Sequence, residues 1–119
     1  MSKPFKHPLT IIQGATLRDV TTWNAGTPAV AVDLTGCTAR MQIRATVDST
    51  EVLVSLTTEN GGIILGGTAG TVTIYMNDTA TAANTWRAGV YDLENLFGSG
   101  DVRRLLYGGV GVSPEVTRS

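Results

Sequence analysis

The chain has 119 residues, enough for one domain with its own core and too few for two. Nine Lys and Arg against ten Asp and Glu give a formal net charge of −1, without the basic surplus that binding to nucleic acid or an anionic membrane selects for. Charged residues make up only 16% while threonine supplies about one residue in seven and glycine 14 positions, a mixture that favours strands and turns, so an all-β fold is expected.

Residues 1–8, "MSKPFKHP", hold both lysines, the only histidine and two prolines, and predict an extended N-terminal arm ahead of a single domain over 9–119. The segment has no apolar run of the length a signal peptide needs, and nowhere do 18 consecutive apolar residues suggest a membrane span. A cytoplasmic site of synthesis is the expectation. Residues 9–13 and 14–24 read as two strand segments broken at Gly14, with Leu17, Asp19, Thr21 and Trp23 on one face and Arg18, Val20 and Thr22 on the other. Asp19 interrupts the apolar face. Residues 25–36 form a long connection with one proline and two glycines.

From Cys37 the pattern is cleaner. Thr38, Arg40, Gln42 and Arg44 alternate with Ala39, Met41, Ile43 and Ala45, a strand with one wet side, and residues 51–58 follow a polar turn as its hairpin partner. Cys37 reads as a small buried hydrophobe, because no neighbouring cation activates its thiol and a single cysteine forms no internal disulfide. Turns at 59–62 and 66–70 bracket a short apolar segment, and in "TVTIYMN" Val72, Ile74 and Met76 alternate with Thr71, Thr73 and Tyr75. Strands and turns recurring every 8–12 residues or so indicate a sandwich or barrel.

One short helical crossover is predicted near 78–84, where Asp78 can cap a run of alanines and threonines. Beyond it Tyr91, Leu93 and Asn95 share a face, and "GSG" at 98–100 turns the chain into a last strand containing Gly108, Gly109 and Gly111. A tyrosine early in a late strand, just past a crossover, has the position of the tyrosine corner of immunoglobulin-like sandwiches, whose phenol ties the strand to backbone upstream; an ordinary core tyrosine fits as well. Glycines inside a strand imply a bulge or the close approach of another chain's backbone, with edge-to-edge pairing of a partner strand as the way to supply it.

The residue types that catalysis needs are scarce. A hydrolytic triad requires a positioned base, and His7 falls in the predicted arm. One Cys and one His do not make a zinc site, Asp92 and Glu94 read as a solvated face, and "GGIILGGTAG" lacks the lysine of a phosphate-binding loop. Of Arg103 and Arg104, one is expected in solvent and the other on a sheet rim. No enzyme and no cofactor is expected. Trp23 and Trp86 read as core, with sugar stacking as the functional alternative.

As an ordered set, "QGATLRDVTTW", "VDLTGCTARMQIR", "LTTENGGIILGGTAGTVTI", "AGVYDLE" and "VSPEVTR" resemble short tailed-bacteriophage and prophage virion proteins, related in pattern to the N-terminal immunoglobulin-like domain of upper baseplate proteins. The resemblance spans residues 13–118. It implies an immunoglobulin-like antiparallel β-sandwich that is a virion component, made in the bacterial cytoplasm and acting as a tail, baseplate or fibre-anchoring adaptor in symmetry-repeated copies. Capsid decoration or a head fibre is the alternative within that class, and a glycan-binding module the alternative outside it. The expected partners are other virion proteins, neither nucleic acid nor membrane. Partner contact is expected through Pro4, Phe5 and Pro8 of the arm and through Gly108, Gly109 and Gly111 of the last strand.

Overall fold

A computed structural model describes residues 4–117; residues 1–3 of the predicted arm and 118–119 of the predicted domain lie outside the described residues. Eleven strands are present among the described residues: β1 (Phe5–Lys6), β2 (Leu9–Ile12), β3 (Leu17–Thr22), β4 (Asn24–Ala25), β5 (Val30–Ala31), β6 (Thr38–Arg44), β7 (Val54–Thr57), β8 (Ile63–Leu65), β9 (Thr71–Met76), β10 (Ala88–Leu96) and β11 (Val102–Ser113). One short helix, α1 (Asp78–Ala82), lies between β9 and β10.

The larger sheet runs β7-β6-β10-β11, and both β1 and β2 add to the far side of β11; a second sheet runs β3-β9-β8. The β6, β7, β10 and β11 pairings and those of the second sheet are antiparallel, whereas β1 and β2 lie parallel to β11. Two sheets face one another across one core, in the strand order of the immunoglobulin sandwich with an extra strand on the larger sheet: the fold is an immunoglobulin-like β-sandwich. β4 and β5 form a two-residue ladder inside the predicted 25–36 connection, closed over a cis Thr27–Pro28 bond.

Period-two burial explains most of the strands. Ala39, Met41 and Ile43 of β6, Tyr91, Leu93 and Asn95 of β10, and Val72, Ile74 and Met76 of β9 all turn inward. Each fully buried Leu, Ile or Met contributes about 1.5–3 kcal/mol of apolar transfer, so these alternating faces carry the core. Trp23 seals one end, 1% exposed, with its ring tilted against Phe97 at 6.4 Å between centroids. Cys37 is half-buried at the core margin rather than inside it.

β11 breaks the rule at one place. Leu105 and Leu106 are adjacent yet both buried, because the register with β10 slips between Leu93, which opposes Leu106, and Glu94, which opposes Arg104. Leu105 is the extra residue of a β-bulge. The bulge resets the alternation, so that Arg104 and Tyr107 both emerge on the outer face although three residues apart.

Two local expectations are corrected. The cap of α1 is Asn77, whose Oδ1 accepts from the Ala80 amide, while Asp78 sits inside the first turn, where its charge suits the helix N-terminus. The strand expected over 51–58 is confined to β7, since residues 46–53 are held as a turn by Ser49 contacts to Thr46 and by Arg44 Nη1 donating to the Ser49 carbonyl at 2.7 Å.

The crossover is latched to the turn after β2 by polar contacts. Thr81 is fully buried; its hydroxyl accepts from the Gly14 amide at 3.1 Å and lies 2.8 Å from the Ala15 carbonyl, to which it donates. Gln13 Nε2 donates to the Ala82 and Asn84 carbonyls, and its Oε1 accepts from the Glu115 amide. These bonds tie β2, α1 and the end of β11 together.

Candidate binding face

The N-terminal segment is extended, as expected, but it is not a free arm. Phe5 pairs with Leu106 and Leu9 with Val110, both 101 positions apart, so residues 5–12 follow β11 in one register with an interruption at His7 and Pro8. The His7 amide donates to the Tyr107 carbonyl at 2.7 Å, the Tyr91 hydroxyl donates to the His7 carbonyl, and His7 Nε2 lies 2.8 Å from Asp19 Oδ1 of β3. His7 thus clasps the N-terminal strand to both sheets. Asp19, out of place on an apolar face by sequence, is there as its partner.

Two expectations change with this. His7 is held rather than loose, but the hydroxyl brought to it, that of Tyr91, is committed to a backbone carbonyl instead of being poised as a nucleophile. Burial, reinforced by the nearby Asp19 carboxylate, pushes the Tyr91 phenol well above its ordinary range, so it stays a neutral donor. Tyr91 is thus a structural pin, but not a tyrosine corner: its phenol reaches the N-terminal strand 84 residues upstream instead of the backbone of the preceding crossover.

Gly108, Gly109 and Gly111 are not at an edge, because β11 has β10 on one side and β1 and β2 on the other. The close backbone that Gly108 admits is the chain's own: an added Cβ would sit 3.1 Å from the His7 carbonyl carbon and oxygen and 3.2 Å from the Pro8 nitrogen. Gly109 and Gly111 have no such neighbour. Partner pairing through these glycines is overturned by the occupied edge. Pro4, Phe5 and Pro8 remain exposed, Phe5 at 45%.

The outer surface of the larger sheet forms an open hollow of about 900 Å³. Its residues fall in rows across the strands. In one row Thr57, Arg40, Glu94 and Arg104 follow one another; in the next Ser55, Gln42, Asp92, Tyr107 and Lys6; in the third Arg44, Val90 and Gly109. Arg40 Nε reaches Glu94 Oε1 at 3.0 Å and Arg104 Nε reaches Asp92 Oδ2 at 3.5 Å, so both central carboxylates are matched. Arg104 is the solvent-facing member of its pair, as expected, while Arg103 turns toward the interior edge of the sheet.

Of the two tryptophans, Trp23 is buried and has no face to offer a sugar ring. Trp86 is half-buried against the core, its indole N–H donating to Asn84 Oδ1 at 3.2 Å. Among the described residues no three His, Cys, Asp or Glu side chains group as metal ligands. No helix among the described residues is long and apolar enough to cross a membrane.

Sequence reading identified Arg40, Gln42 and Arg44 as a wet face and Asp92 with Glu94 as another, without joining them. Lys6 and Tyr107 went unnoticed as site residues. The signal that could have found Tyr107 was the doublet Leu105–Leu106, which requires a bulge and so a reset of the outward positions.

No family model matches the chain, and no curated protein matches it. Among solved structures it is similar to Drosophila OTK extracellular domains 3-5, at 14% identity and a TM-score of 0.37, over 92% of this chain and 33% of that one. The chain thus spans about a third of the length of that structure.

Proposed function

We propose that the chain is a non-enzymatic structural subunit of a tailed-phage virion, acting as a tail, baseplate or fibre-anchoring adaptor through protein–protein contacts and present in several symmetry-related copies. The observation that carries the adaptor role is the concave outer face of the larger sheet. Strand-borne side chains on a twisted sheet hold fixed spacings, and paired charges with hydroxyl and amide groups between them give a surface suited to a specific protein partner. The phage context rests on the sequence resemblance described above. Decoration of the capsid is the second reading within that class. Nothing at Trp23 favours glycan attachment, since the indole is inside the core.

Immunogold electron microscopy on particles from the source phage or induced prophage, with antibody against this chain, tests the assignment. Gold at the tail tip, baseplate or neck is expected. Gold spread over the head would replace the adaptor by a decoration protein, and absence of the antigen from both intact and disrupted particles would remove the virion reading altogether.

A further inference from the structure

The concave face differs in charge from the rest of the molecule. Four of the chain's nine cations line it, Lys6, Arg40, Arg44 and Arg104, with two of its ten carboxylates, Asp92 and Glu94; the face carries +2 and the remainder −3. Arg40 and Arg104 are spent on Glu94 and Asp92. The charges left over belong to Arg44, whose guanidinium contacts only the Ser49 carbonyl and the Gln42 amide oxygen, and to Lys6, which makes no ion pair among the described residues. Between them lie neutral donors: Gln42, Ser55, Thr57 and the exposed phenol of Tyr107.

The geometry points to an extended, acidic polypeptide strand of a partner protein as the occupant of this face, with two carboxylates set four residues apart, one meeting Lys6 and the other Arg44. Such an occupant presupposes that the chain works as a docking subunit. The spacing follows from the sheet. Lys6 and Arg44 are three strand intervals and one pleat apart, roughly 16 Å at about 4.8 Å per interval and 3.3 Å per residue. An extended segment covers about 13 Å in four residues and returns its side chains to the same side, and the flexible Lys and Arg stems supply the rest.

A nucleic acid fits worse. Asp92 and Glu94 occupy the middle of the face and would repel a backbone that bears a phosphate at every step, whereas a polypeptide can set neutral residues there and its charges at the margin.

The test uses the full chain, ¹⁵N-labelled, titrated with a synthetic peptide, acetyl-Asp-Thr-Val-Thr-Asp-amide, with its Asn-for-Asp counterpart and with polyuridylate. The expected result is movement of amide resonances in β1, β6, β10 and β11 on adding the acidic peptide, none with the Asn peptide, and at least a tenfold weaker response in Lys6→Glu. Arg44→Gln should weaken it similarly; because Arg44 also holds the 46–53 turn, Lys6→Glu is the cleaner variant. No movement with the acidic peptide, equal movement with the Asn peptide, indifference to Lys6→Glu, or tighter binding of polyuridylate would each overturn the proposal. Particle incorporation separates this outcome from the adaptor assignment: Lys6→Glu protein that still enters particles as well as wild type rejects the face while leaving the adaptor standing, and a chain absent from particles rejects the adaptor whatever the peptide does.

Discussion

Tyr91 and His7 are 84 residues apart in sequence, and the phenol of one donates to the backbone carbonyl of the other inside the sandwich. Replacing Tyr91 by Phe keeps the ring in the core and leaves the His7 carbonyl without its donor, at a cost of about 1–2 kcal/mol. The loss should depend on pH. The folded-state phenol is pushed up, chiefly by burial, so the unfolded chain ionises near pH 10 while the folded one does not. The stabilisation is therefore complete below about pH 10 and declines as pH rises toward the folded-state value, by up to about 1.4 kcal/mol per pH unit. Urea unfolding of wild type and Tyr91→Phe at neutral pH and near pH 11 should show the gap narrowing; a gap that stays constant contradicts the burial of a neutral phenol.

The neighbouring glycine gives a sharper contrast. Gly108→Ala sets a methyl against His7 and Pro8 backbone atoms at 3.1–3.2 Å, which cannot rotate aside as a side chain would, while Gly111→Ala meets nothing within 4 Å. The first should cost about 1–3 kcal/mol and the second little. Hydrogen exchange locates the damage: in Gly108→Ala the amides of β1 and β2 should lose protection ahead of those in β6 and β10. Equal tolerance at both positions would mean that the His7–Pro8 passage does not constrain the strand.

How much of this could be read beforehand varies with the range of the interaction. β6, β9 and β10 were legible because each has one wet and one dry face, and period-two alternation is a local signal. The inward set Tyr91, Leu93 and Asn95 followed from it, whereas the partner of the Tyr91 phenol did not, because His7 is 84 residues away. The docking of residues 5–12 was not legible, since parallel pairing 101 positions away leaves no local trace, and the two prolines point equally to a free arm. Asp19 looked like a flaw in its strand until His7 was placed beside it. The concave face was legible only in pieces: each strand shows its outward residues, but the order β7-β6-β10-β11-β1 decides which of them become neighbours.

Thr81 tests whether the short helix is a connector or a fastening. Its hydroxyl serves the Gly14 amide and the Ala15 carbonyl at once, and the residue is fully buried. Thr81→Val preserves the shape and leaves both backbone groups unpaired, which should lower stability by about 1–3 kcal/mol, whereas Thr79→Val on the exposed side of the same helix should change it by less than about 0.5 kcal/mol. Equal effects at the two positions in chemical denaturation would reduce the helix to a linker.

Asn95 makes the opposite prediction, that removing a polar group stabilises. It is 0% exposed on the inner face of β10, and neither its amide nitrogen nor its amide oxygen has a hydrogen-bond partner among the described residues. A buried amide without partners costs about 1–3 kcal/mol on the scale of protein substitutions. Leucine has a similar volume and extends the buried apolar face that Leu93 and the opposing Ala39 share, so Asn95→Leu should raise the thermal midpoint by several degrees for a chain of this length. Arg103 stands directly opposite Asn95 in β11 with its Nε buried and unpartnered, so Asn95→Asp would set a carboxylate against a cation and is not the control; Asn95→Leu alone isolates the loss of the amide. A midpoint that falls in Asn95→Leu would mean that the amide is hydrogen-bonded in the folded protein, and that its place in the core is a polar contact selected for rather than one merely tolerated.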